Sequence, residues 1–317
     1  MIRGHYLPQF YMRFFGLNEK QIARFDKKTG DKKIVSIESF CCKKGFFALE
    51  EADQIPGNHD IEILEKLCAS EMEGPVATIL KRLINNENLS SLSEEEFSLL
   101  LSWMSWIYVM TPSKKKMLDA GCNKFFENLA HSSNNELSNL IEKSKSKNIT
   151  TEEVRQFFLK NTFQTKNSNK ISILFNSLDS IVNLLSQYTW KLCKVKQNEG
   201  FLLSGDHPIS LAAQNLTDPV GFENAQFLFF PISPSLLLVG LNTKDRQGII
   251  CKITEEITEE RTLLPNLLTY AKSERFIIGN HLNCFDHLSK IHKKEHFQLF
   301  PKFRTDEKSN KSYFINY

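Results

Sequence analysis

The sequence predicts an α+β protein, with helices dominating its first two-thirds and packing on a mainly antiparallel sheet. Apolar residues recur at helical spacing through long stretches up to about residue 190, whereas short apolar runs separated by Gly and Pro follow it. No regular alternation of strand and helix appears, which excludes a doubly wound parallel sheet. The sheet is expected to combine an N-terminal hairpin with strands of the C-terminal third. One domain over 1–317 is the expected organisation, with a polar surface segment near 131–150 and a basic tail near 286–317.

Element by element, Pro8 opens a helix with apolar residues at 10, 11, 14 and 15, and Gly16 is its stop. Gln21–Phe25 and Lys33–Ile37 flank a Gly-containing turn and read as a hairpin. Residues 60–84 are helical, with a kink or brief break at Gly74-Pro75. Ser93-Glu-Glu-Glu96 is a capping box for a helix reaching Val109, and Thr111-Pro112 bends or ends it. Thr151 caps a further helix, and one more is expected over Ile171–Trp190. Strands are expected at 190–195, 200–204, 227–230 and 236–240, the last two flanking the turn Pro231-Ile-Ser-Pro234. A helix over 263–274 and a final strand at Phe276–Ile278 complete the order.

Composition narrows the function classes. Net charge is +3, too small to indicate nucleic acid by itself, although residues 1–50 carry ten Lys/Arg against five Asp/Glu. A solvated surface is the plain explanation, and a basic groove built from both termini is the sharper one. Seven Cys, an odd number without C-x-x-C, fit neither a disulfide framework nor a zinc ribbon. Met1–His5 starts no apolar run, and prolines interrupt the apolar stretch 227–241. A cytoplasmic protein that does not enter membranes is therefore expected. The 25 Phe predict a core rich in aromatic rings.

His292-Lys-Lys-Glu-His296 has the spacing of an inverted zinc-peptidase motif, but the few residues after it offer little for a third ligand. A charged C-terminal helix explains it better. The clustering of His281, His287, His292 and His296 likewise lacks interleaved Cys or Asp. No phosphate-binding glycine loop or nucleophile elbow is present. Two segments remain: Gly4-His5-Tyr6-Leu7-Pro8-Gln9-Phe10-Tyr11 and Ser204-Gly205-Asp206-His207-Pro208. Asp206 and His207 stand at a strand end, where catalytic groups are often displayed, yet an Asp before X-Pro also shapes turns.

Together these segments resemble a bacterial domain-of-unknown-function family, the one numbered four-two-three-eight. The opening His5-Tyr6-x-Pro8 with Tyr11 and Phe14, the strand end Ser204-x-Asp206-x-Pro208 and the turn Phe230-Pro-Ile-Ser-Pro234 carry the likeness over about 5–280. The resemblance implies an acidic residue before a small-residue stretch, matched by Glu71 or Glu73 near Gly74. It also implies an Arg-Thr-Pro step, where this chain has Met110-Thr111-Pro112. An anion clamp at that arginine would here be missing or replaced by Lys114–Lys116. The resemblance implies fold and segment order but no reaction.

Two functional readings follow. The first is a binding or regulatory module, of a toxin-like or defence kind, in which a His5–Asp206 contact latches the N-terminal segment to the sheet. The alternative is a metal-dependent phosphodiester hydrolase, nuclease-like, with His5, Asp206 and His207 as catalytic groups. In that reading Gln9 and Arg13 bind substrate, and His5, Asp206, Glu71 and Glu73 hold a divalent metal. Both require His5 and Asp206 to meet, because a carboxylate drawn into apolar surroundings must find a partner. Partners are otherwise unspecified; nucleic acid is admitted but not indicated by charge.

Overall fold

A computed structural model describes residues 3–49, 60, 62–143, 149–197, 199–213, 220–242, 248–251, 253–286, 288, 302–306 and 311–315. The chain starts with β1 (Arg3–His5), α1 (Gln9–Phe14), β2 (Gln21–Asp26), β3 (Lys32–Ser36) and β4 (Cys42–Lys44). A helical stretch follows: α2 (Ile63–Leu67), a π-helical turn over Cys68–Glu73, and α3 (Gly74–Asn86). Next come α4 (Glu94–Val109), α5 (Pro112–Ala130), α6 (Asn134–Lys143), α7 (Thr151–Lys160), α8 (Asn167–Phe175) and α9 (Leu178–Leu185). The C-terminal part holds β5 (Thr189–Val195), β6 (Ser204–Gly205), β7 (Ser210–Ala212), β8 (Phe227–Ser233), β9 (Leu236–Leu241) and β10 (Glu255–Ile257). It ends with α10 (Glu259–Lys272), β11 (Phe276–Gly279), β12 (Lys302–Asp306) and β13 (Lys311–Ile315). The α+β class and the segregation of helices and strands are as expected.

The strands form two larger sheets. In one, the hairpin β2–β3 joins the C-terminal strands in the order β3-β2-β11-β6, so that Phe276 lies opposite Asp26 and Gly279 opposite Ala23. This is the expected union of an N-terminal hairpin with late strands. The other has the order β10-β5-β9-β8-β7, with β10 parallel to β5 and the remaining pairs antiparallel. Helix α1 bridges them. Tyr11 stacks on Phe230 with centroids 5.5 Å apart, and its hydroxyl donates to Pro231 O (2.6 Å) while sharing a hydrogen bond with Ser204 Oγ (2.7 Å). One phenol thus ties β8 of the second sheet to β6 of the first. Trp103 of α4 packs against both Tyr11 and Phe230, giving the core its expected aromatic character.

Several boundaries differ from the sequence reading. Ile171–Trp190 is not one helix: Asn176 and Ser177 separate α8 from α9, and Trp190 belongs to β5. There it lies opposite Gly240, where an added Cβ would stand 3.1 Å from the indole ring and crowd it. Residues 200–203 make no ladder; only Ser204–Gly205 pair. Pro231 stays inside β8 at a register irregularity, which tolerates its missing N–H, and the turn is confined to Pro234-Ser235. The second capping box is set by Thr150 rather than Thr151. Phe276–Gly279 is not the final strand, since β12 and β13 pair after it.

Candidate functional site in a cavity between α1 and the π-helical turn

The segment Ser204–Pro208 is a structural junction. Asp206 is 5% exposed, and its two carboxylate oxygens accept from the backbone N–H groups of Glu274, Arg275 and Phe276 at 2.8–2.9 Å. Burial pushes its carboxyl up to about 6 against the pull of these donors. Gly205 permits the close approach of α10, because a Cβ there would run into Ser273 Oγ and lie 2.9 Å from Phe276 O. Lys27 seals the same corner by donating from Nζ to the carbonyls of Tyr270 and Ser273 at 2.5 Å each, the usual role of a cation at a helix C-terminus. Asp26 holds Arg275 with two guanidinium nitrogens. His207 is buried, its Nδ1 is 3.0 Å from Ile209 O, and its ring meets Tyr108 edge-on; burial lowers it to about 3, so it is neutral.

His5 lies elsewhere. Its Nε2 is 3.0 Å from Glu38 O, and the Gln9 amide nitrogen is 3.5 Å away. Among the described residues no hydrogen bond or ion pair links His5 to Asp206, so the expected contact is not formed. The segments do converge, with Tyr6 at the junction: burial, then Cys41 and then the Asp206 charge raise its hydroxyl. The four residues named as metal ligands are not gathered either. Glu71 is exposed and accepts from Ser70 Oγ, Asp206 is saturated by backbone donors, and among the described residues no group of three or more His, Cys, Asp or Glu could hold a metal ion.

What the structure does gather is His5, Gln9 and Arg13 with Glu73. They line a cavity of about 400 Å³ together with Glu65 and Phe47. The N-terminal wall is ordered by its own bonds: Arg13 Nη2 donates to Gln9 Oε1 at 3.0 Å, which turns the amide nitrogen of Gln9 toward His5. Burial lowers His5 and keeps the imidazole neutral at pH 7. The opposite wall comes from α2 and the π-helical turn. Pro75 has no N–H to continue α-type pairing, and the wider turn immediately precedes it. Glu73 ends that turn. Burial, then the neighbouring Glu65, push it up to about 7; Glu65 itself is raised by burial and Glu62. Cys68, also on this wall, is pushed up to about 12, chiefly by burial, and is an inert thiol.

Sequence reading missed Glu65, although a signal existed. Glu65, Ala69, Glu73 and Ala77 recur every fourth residue, which places two carboxyls and two small residues along one helical flank. Of the lysines that could replace an arginine clamp, Lys114 lies over the Tyr108 ring, Lys115 donates to Phe46 O and Asn167 Oδ1, and Lys116 pairs with Glu274. Met110 is 1% exposed and belongs to the core. His287 and the 292–296 motif lie outside the described residues, as does half of any groove built from both termini. His281 accepts from Cys284 N and caps a short helical turn. Among the described residues no helix is long and apolar enough to cross a membrane.

No curated protein and no solved structure matches the chain. A family model described as protein of unknown function (DUF4238) matches residues 3–282, nearly everything from β1 through β11. The chain belongs to that family of proteins of unknown function.

Proposed function

We propose that this protein is a ligand-binding module whose working site is the cavity between α1 and the Cys68–Glu73 turn. The observation that carries the reading is the meeting of His5, Gln9 and Arg13 with Glu65 and Glu73 around one cavity. Phosphodiester hydrolysis is less well supported: Asp206 and His207 are committed to backbone partners and neither lines that cavity. Seven free thiols fit a reducing, intracellular setting, and the pairing of β2 with β11 fits one folding unit.

The test compares the natural chain with Ala69→Phe, which puts a ring into the cavity from an exposed position. Screened against small polar metabolites, the natural chain should gain about 2 °C or more in Tm with at least one compound, and the variant should gain nothing. Equal shifts in both proteins would remove the cavity from consideration. A value near neutrality at Glu73 also favours proton exchange with the bound molecule. NMR of the recovered ligand, showing chemical change or none, decides between binding and turnover.

A further inference from the structure

We propose that this cavity selects a small organic cation, an ammonium or guanidinium compound whose positive end lies between Glu65 and Glu73 and whose other end presents an acceptor to Arg13. The proposal rests on the cavity being the working site, and it adds the chemical class of the ligand.

Unbalanced charge on one wall is the first observation. Glu65 and Glu73 line the cavity, and neither has an ion pair or hydrogen bond among the described residues. The nearest lysine in sequence is occupied elsewhere, since Lys66 Nζ is held by Asp60 at 2.5 Å. Two partly buried carboxyls, of which Glu73 is raised by burial and by Glu65, and which meet no protein cation among the described residues, form a site whose cation is supplied from outside. Gly4 contributes to this arrangement: an added Cβ would stand 2.9 Å from Glu65 Oε2 and 3.0 Å from the Phe47 ring, so glycine lets the carboxyl and ring close on the strand.

A second observation concerns the aromatic surfaces. Phe10 and Phe47 line the same cavity, and each is backed by a buried indole, Phe10 by Trp103 (5.4 Å) and Phe47 by Trp106 (5.7 Å, nearly parallel). Such fixed rings offer negative faces to an organic cation. Among the described residues no group of three or more His, Cys, Asp or Glu could hold a metal ion, so the aromatic lining is what distinguishes this cavity.

The third observation is polarity along the cavity. Arg13 and Gln9 line it from α1, and among the described residues Arg13 is spent only on Gln9 Oε1, Glu19 O and a 3.8 Å pair with the exposed Glu19. An acidic wall facing a basic one matches a molecule with a cationic end and an anionic or acceptor end. Binding the cation releases the proton that Glu73 otherwise holds near neutral pH.

Calorimetry with the whole chain tests this, using arginine, lysine, 4-guanidinobutyrate, agmatine and choline as compounds with a cationic end, 4-ureidobutyrate and glutarate as counterparts without one, and MgCl₂ and MnCl₂ as metals. At least one organic cation should bind, and 4-ureidobutyrate should bind at least about tenfold more weakly than 4-guanidinobutyrate. Binding should strengthen between about pH 6 and pH 8, as Glu73 gives up its proton. Glu73→Gln should remove both the affinity and its pH dependence, with folding checked by an unchanged spectrum. 4-Ureidobutyrate or glutarate binding as tightly as the cations, and blocked by Ala69→Phe, would overturn the cation while keeping the cavity. Metal binding with the same sensitivity and no organic cation bound would replace it with an inorganic ion. Should no compound bind in a way that Ala69→Phe blocks, the cavity reading falls along with the proposal.

Discussion

Asp206 and Glu73 are both carboxyls withdrawn from water, and the fold treats them in opposite ways. Around Asp206 every oxygen has a donor, because three successive N–H groups at the start of β11 point at it while Gly205 lets α10 close in. Around Glu73 there is open volume, a second carboxyl and, among the described residues, no donor. A buried polar group that has all its partners is finished chemistry and fixes structure. One that lacks them beside a cavity is kept ready for something the chain does not contain. Asp206 stands out in the sequence while Glu73 enters only beside Glu71 through the resemblance, and their surroundings are what separate structure from function.

The largest effect expected from this contrast is at Asp206. Asp206→Asn replaces one acceptor by an NH₂ facing N–H donors, and should cost about 3–5 kcal/mol in urea unfolding. Glu73→Gln, measured identically, should cost nothing comparable. A mild loss at Asp206 together with a large one at Glu73 would invert the assignment of the two regions.

Legibility in the sequence followed the range of the physics involved. Ser93 and Glu96 announce their helix because a capping box is closed within four residues, and both of its bonds are present. The β2–β3 hairpin is equally local. The strand expected at 190–195 was legible and is β5, but its need for Gly240 opposite Trp190 was not, since that residue lies fifty positions away. His5, Gln9, Arg13 and Glu73 were legible as polar residues within apolar segments. Their meeting was not, since it depends on α1 packing across from a π-helical turn that hydrophobic periodicity does not reveal. Asp206 was correctly read as demanding a partner. The partner was wrong because backbone donors, which every residue carries, leave no mark in composition.

Met110 gives an intermediate effect and a correction. The resemblance implies an arginine at that step, and a positive charge would suit the C-terminal end of α4. Instead Met110 is buried at that helix end, packed with the core that includes Trp106 and Val109. Met110→Arg must either bury a guanidinium without a partner or push it out past α5. A destabilisation of about 2–4 kcal/mol is expected from overpacking and desolvation together. Stability equal to the natural chain would mean that an anionic partner for residue 110 lies within reach.

The smallest effect is the most specific to the proposed site. Glu73 has a folded-state value near 7 against an ordinary 4.5, so the folded protein holds this proton more tightly than the unfolded chain does. A raised folded value means that the contribution is present at low pH and is lost as pH climbs from about 4.5 to about 7. Asp206, raised from 3.8 to about 6, acts in the same direction over an overlapping range, so the natural chain alone cannot separate them. Substitution can. Glu73→Gln deletes one titration and leaves the other, and it should make the protein relatively more stable above pH 7 by about 1–2 kcal/mol, with little difference near pH 4. Saturating the natural chain with a cationic ligand should mimic the substitution at high pH, because the ligand neutralises the same carboxylate, and should add nothing to the variant. Parallel stability curves for the two proteins from pH 4 to pH 8 would show that Glu73 titrates normally in the folded state, and would remove the electrostatic reason for assigning the cavity a cation.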